Sequence, residues 1–195
     1  MAVHVERLGG MHVAPGPLKR VLRQLRDDSR TAAHGMQPPP MARHERLLLT
    51  ERDQAGTPVV ATTLALYHRS DPVGAGGWHR MPWEELGRVR WDRLNRRLEV
   101  TRYPGGPSRT LRLRLAVTSR VPDVIRDRVG ATELGGLPVA LGNGTTATVA
   151  ARRRPITSEI IWVVMLPDGC SPNDPGTRDV VSAAMRELRV QLGLH

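Results

Sequence analysis

Residues 78–100 read Trp78-His79-Arg80-Met81-Pro82-Trp83-Glu84-Glu85-Leu86-Gly87-Arg88-Val89-Arg90-Trp91-Asp92-Arg93-Leu94-Asn95-Arg96-Arg97-Leu98-Glu99-Val100. Trp78 to Met81 form a short strand. Pro82 then opens a single helical turn over Pro82–Leu86, because proline fits the first turn of a helix. Arg88-Val89-Arg90-Trp91 alternates polar and apolar, Asp92 to Asn95 turn the chain, and Leu98 and Val100 alternate back. A period of two leaves one face buried and one wet, so this segment is a β-hairpin.

Upstream, Leu47-Leu48-Leu49 and the run Pro58 to Tyr67 are apolar and β-branched, and Asp53 to Gly56 supply a turn between two strands. The Gly-rich Asp71–Gly77 is a loop. Downstream, Thr110 to Leu115 alternates strictly, which buries one face and coats the other with Arg112 and Arg114. Val121, Val124, Ile125 and Val129 make a short helical stripe ended by Gly130. A Gly-rich stretch covers 135–144. Two more strands follow, Thr145–Ala151 and Glu159–Leu166, joined through Arg152-Arg153-Arg154-Pro155. A last helix from about Gly176 to Leu192 carries the stripe Val181, Ala184, Met185, Leu188 and Leu192. No internal repeat is present. The reading is α+β and mainly β: a small barrel or bent antiparallel sheet, a short inserted helix, and a C-terminal helix capping an open end.

Residues 1–43 differ. They hold Gly9-Gly10, Pro15-Gly16-Pro17 and Pro38-Pro39-Pro40 with few large apolar residues, and read as a mobile arm before a domain at 44–195. Within it, residues 17–26 space Leu18, Val21, Leu22 and Leu25 for one helical face and put Lys19, Arg20, Arg23 and Arg26 on the other. So short a helix needs something to dock on.

The chain has 195 residues, enough for one domain that buries roughly 70% of its unfolded surface without a disulfide or metal. Its single cysteine, Cys170, excludes an internal disulfide and a Cys-rich zinc site. The first residues lack the apolar core of a signal peptide, and the longest apolar run, Ile160 to Leu166, is too short to span a bilayer as a helix. The expectation is a cytoplasmic protein. Net charge is +10, and of 29 basic residues only Lys19 is lysine. With Gly, Pro, Ala and Val abundant and no Phe, part of the arginine excess reflects coding bias of a GC-rich genome. The positive surface attracts polyanions whatever its origin.

The order Val59-Val60-Ala61-Thr62 … Ala65-Leu66-Tyr67, then Trp78 to Leu86, then Val89-Arg90-Trp91-Asp92 … Leu98-Glu99-Val100 resembles bacterial pleckstrin-homology-like (PH-like, GRAM-type) domains. The match covers roughly residues 44–103 and, more loosely, the terminal strand and helix. The resemblance implies a barrel capped by its final helix and a binding or scaffold role. The insertion at 121–144 departs from the family's minimal seven-stranded order. No basic loop signature for phosphoinositides lies between the first strands, so that site is not carried over.

Motifs that carry chemistry are mostly absent. There is no nucleophile elbow, no His-Glu-x-x-His, no phosphate loop and no acidic metal cluster, so no catalytic residue, metal or cofactor is assigned. Gly142-Asn143-Gly144-Thr145-Thr146 reads as a turn entering a strand, and Cys170 as an incidental loop thiol. His68 and His79 lie where they would face each other but lack a third ligand. Glu84 and Glu85, adjacent on a turn, read as solvated charges. Trp162 is core, while Trp78, Trp83 and Trp91 are either core filler or the lining of a groove. Arg152, Arg153 and Arg154 read as a solvated loop and, with Lys19, Arg20, Arg23 and Arg26, as candidate partner- or anion-binding residues. The leading expectation is a non-enzymatic binding or adaptor module for a protein or an anionic membrane. The alternatives are sequence-independent nucleic-acid binding through the arginine surface, and an enzyme with a groove near Trp78, Trp83 and His79.

Overall fold

The computed structural model describes residues 38–69, 77–103, 110–142, 144–167 and 169–194. The arm helix at 17–26, with Lys19, Arg20, Arg23 and Arg26, lies outside the described residues, as does most of the 71–77 loop. Pro39, assigned to the arm by composition, is buried, and the Ala42 amide donates to Glu45 Oε2 at 2.9 Å. Packed chain therefore begins before the boundary expected at residue 43.

The molecule is mainly β, with three antiparallel sheets and two α-helices among the described residues. The first sheet has the order β1 (Leu47–Arg52), β2 (Pro58–Thr62), β3 (Ala65–Arg69), β4 (Trp78–Pro82). A 3-10 turn, Trp83–Glu85, leads to the second sheet: β5 (Leu86–Asp92), β6 (Arg97–Arg102), β7 (Thr110–Arg114). Helix α1 (Val121–Thr132) follows. The third sheet, ordered β10-β9-β8, is built from β8 (Glu133–Ala140), β9 (Thr146–Arg153) and β10 (Ile160–Met165), and the chain ends in α2 (Pro175–Gln191). No sheet closes into a barrel among the described residues.

The run Pro58–Tyr67 is two strands, not one. The Thr62 hydroxyl accepts the amides of Leu64 (3.2 Å) and Ala65 (3.0 Å), which turns the chain within two residues. Every position of β2 is buried, because Val59 and Ala61 face the main core while Val60 faces a small cluster with Ala65 and Tyr67. A strand buried on both faces has no polar alternation to reveal where it ends.

The main core joins the first two sheets through Leu66, Trp83, Leu86, Leu98, Val100 and Leu113, and α1 closes it with Val121 and Ile125. Glu51 of β1 fixes the entry to that helix. Its carboxylate accepts the Ser119 hydroxyl at 2.6 Å and the Arg120 amide at 3.0 Å, next to the partially positive helix start. Helix α1 continues two residues past Gly130, to Thr132.

These contacts revise the expected roles of the helices. The helix read as an insertion covers the seven-stranded core, whereas α2, read as its cap, lies on the third sheet with Ala184 and Leu188 buried. Residues 135–140 of the Gly-rich stretch lie in strand β8. Its glycines and Pro138 are poor strand formers. Pairing with β9 and cover from α2 form it instead. At Gly135 a Cβ would lie 3.3 Å from Leu188 Cδ1 and from Leu192 Cδ2, so the glycine sets how closely the helix approaches.

Candidate functional site

The β5–β6 hairpin and β7 form a surface the sequence describes only in part. Cross-strand pairing sets Asp92 opposite Arg97 and Arg97 opposite Arg114; the next row is Arg90, Glu99, Arg112. Paired residues share a face, so these rows look outward while Leu98, Val100 and Leu113 look into the core. Glu99 is shared by two arginines: Arg97 Nη2 is 2.7 Å and Arg112 Nε 3.1 Å from its Oε1. The Arg112 hydrogen bond holds the Glu99 carboxyl below its ordinary range, and hydrogen bonds from Asn95 do the same for Asp92. Both acids stay ionised at any physiological pH, yet arginines outnumber them in the rows and at the tip.

The hairpin tip adds Arg93 and Arg96, exposed like Arg97, around Leu94. Leu94 is 94% exposed, the most exposed large apolar residue among those described. Its projection is built in. The Asp92 carboxylate accepts the Asn95 amide at 3.0 Å and the Asn95 side chain at 2.7 Å. Arg96 takes a left-handed φ of 54°, and its carbonyl accepts the Leu115 amide at 2.9 Å. A non-glycine residue there costs about 1–2 kcal/mol, held by the surrounding bonds.

The other expected site residues scatter. Trp83 is 1% exposed and donates Nε1 to the Thr62 carbonyl at 3.0 Å, so it is core. Trp91 packs on that same core, while Trp78 packs edge-on to Tyr67 in the smaller cluster, with Arg69 over its ring. The three do not line one groove. The expected solvated loop of Arg152, Arg153 and Arg154 is also corrected: Arg152 is a β9 residue, 2% exposed, donating Nη1 to the Leu86 and Glu84 carbonyls. Arg153 is exposed at the strand end, and Arg154 pairs with Glu159 at 2.9 Å. His68 and His79 do meet, stacked at 5.1 Å, and burial lowers the His68 pKa, with a small further push from His79. No three His, Cys, Asp or Glu residues among those described are grouped to hold a metal ion. Cys170 packs against the third sheet's core, and between β8 and β9 the Leu141 amide donates to the Thr145 carbonyl at 2.8 Å, with Gly144 at a φ of 78°.

Glu84, read as a solvated charge, is 8% exposed, and its Oε2 has no hydrogen-bond partner among the described residues. Burial raises its pKa, with Glu85 adding to the effect and Arg80 and Arg154 opposing it. The folded state then keeps a proton that the unfolded chain releases, so this group costs stability as pH climbs above the usual carboxylate range. Glu84→Gln is expected to raise the melting temperature at about pH 8 and to change it much less at about pH 4, where the unfolded chain is mostly protonated as well. Thermal scans at the two pH values check this.

The turn Arg93-Leu94-Asn95-Arg96-Arg97 was the available signal for this surface: an apolar residue set among three arginines where polar turn residues suffice. The chain matches no family model, no curated protein and no solved structure.

Proposed function

We propose that the chain is a non-enzymatic binding module that docks the outward face of β5–β6–β7 on an anionic membrane surface. The observation that carries this reading is Leu94, held in solvent at the tip of an arginine-coated sheet. An apolar tip that inserts between headgroups and a basic ring that meets anionic lipid are the paired signals stable peripheral binding needs. No helix among the described residues is long and apolar enough to cross a membrane. None of the residues in the outward rows is aromatic, which favours lipid over nucleic acid, since single-strand binders stack bases on exposed rings. The order of seven strands followed by α1 over residues 47–132 supports a PH-like module, with β8–β10 and α2 as an added unit.

Each arginine near an anionic surface contributes about 1 kcal/mol, so Arg93→Ser, Arg96→Ser and Arg97→Ser together should weaken vesicle binding about 100-fold. Co-sedimentation with vesicles containing about 30% phosphatidylserine measures this, and binding should fall as salt is raised. Unchanged binding by the triple variant would overturn the reading. Binding to duplex DNA but to no vesicle would replace it with nucleic-acid recognition.

A further inference from the structure

We propose that the cleft between the 3-10 turn and the β9–β10 connection binds a carboxylate carried on a short apolar body. The cleft has a volume of about 280 Å³. Leu64, Pro82, Pro155 and Ile156 give it apolar walls, and Arg80 and Arg154 bring cations. Ile156 is 64% exposed at its lip, an apolar group with nothing to cover it unless a ligand does.

Arg80 is held for the task. Its Nε donates to the Tyr67 hydroxyl at 3.1 Å, and that hydroxyl donates to Glu45 Oε2 at 2.9 Å. Glu45 is itself 7% exposed and accepts the Thr62 hydroxyl as well. The chain of bonds fixes the guanidinium from behind. Its two terminal nitrogens make no hydrogen bond among the described residues, and a planar guanidinium edge matches a carboxylate. Glu85 is engaged with Arg102, and Arg154 with Glu159.

The buried Glu84 selects the ligand's charge. A dianion such as phosphate would crowd Glu84 and Glu85, whereas a monocarboxylate with an apolar body uses both the fork and the walls. The charged groups about Glu84 are Arg80 on β4, Glu85 on the 3-10 turn, Arg154 on the β9–β10 connection, and Arg152 on β9, whose guanidinium reaches the Glu84 carbonyl. Ionising Glu84 sets a second negative charge beside the bound one, so affinity falls as pH rises.

Amide-shift titrations of the full chain with hexanoate, N-acetyl-leucine, hexanamide and inorganic phosphate test this. At least one of the two acids should shift Arg80, Glu84 and Ile156, with hexanamide and phosphate at least about tenfold weaker. Preference for N-acetyl-leucine would identify a peptide C-terminus as the source, and preference for hexanoate a free acid. Arg80→Gln, and Ile156→Asp at the exposed lip, should each lose about tenfold or more. Glu84→Gln should lessen the loss of affinity as pH rises above about 6, a range in which both acids are already ionised. Equal binding of acid and amide, affinity unchanged by both Arg80→Gln and Ile156→Asp, or no response to either acid overturns the proposal.

Discussion

Arg152→Ala should destabilise the protein by about 3 kcal/mol and lower its melting temperature by roughly 6–12 °C, while Arg153→Ala, one residue along the same strand, should cost no more than about 0.5 kcal/mol. Arg152 is 2% exposed and its guanidinium donates to the carbonyls of Leu86 and Glu84, tying β9 to the 3-10 turn and the start of β5. Its other terminal nitrogen is 3.9 Å from Glu133 Oε2, too far for a strong pair. Burial lowers its pKa, and Glu133 only partly opposes this, so the charge is held mainly by backbone oxygens. Deleting the side chain strands those oxygens in a dry site, the costly direction of hydrogen-bond loss. Arg152→Lys should fall between the two, since a single ammonium cannot reproduce the rigid fork. Thermal unfolding of the three variants decides it. Equal losses for Arg152→Ala and Arg153→Ala would show that β9 is not anchored in this way.

Trp83→Ala should cost about 3–5 kcal/mol, a large share of the 5–15 kcal/mol that holds a typical domain together. The indole is 1% exposed at the junction of the first two sheets, beside α1. Its loss removes the largest fully buried side chain among those described and leaves the Thr62 carbonyl without the Nε1 donor. Trp83→Phe keeps most of the volume and should cost less than half as much, mainly for the hydrogen bond. Trp91→Ala, at a half-buried position, should also cost less. Urea unfolding measures all three. If Trp91→Ala matches or exceeds Trp83→Ala, the core is centred elsewhere.

How much of this was legible follows from which faces are wet. Strand β7 alternates because one side meets water, so Leu113 in and Arg112 and Arg114 out could be read directly. The stripe of α2 was legible for the same reason. Strand β2 is dry on both sides, so its turn at Thr62 rested on a single hydroxyl with no pattern around it. Strand β8 has the composition of a loop and is a strand only because β9 and α2 surround it. Arg152, Arg153 and Arg154 form one charge run in the sequence, yet strand alternation sends one side chain inward and the next outward. At the candidate interface, Arg112 and Arg114 were visible, but joining them to Arg97 and Leu94 required the register of β6 against both neighbours.

If Leu94 and its arginines meet an anionic membrane, Leu94→Asp should abolish that contact without unfolding the protein, because a 94% exposed side chain supports no fold contact worth losing. Wild type should pellet with phosphatidylserine-containing vesicles and stay in solution with phosphatidylcholine alone. Leu94→Asp should bind at least about tenfold more weakly, having lost an inserted leucine worth about 1.5–3 kcal/mol and gained a charge of the wrong sign, with an unchanged melting temperature. Equal pelleting of the two proteins, or none by either, would show that this face does not dock on a membrane.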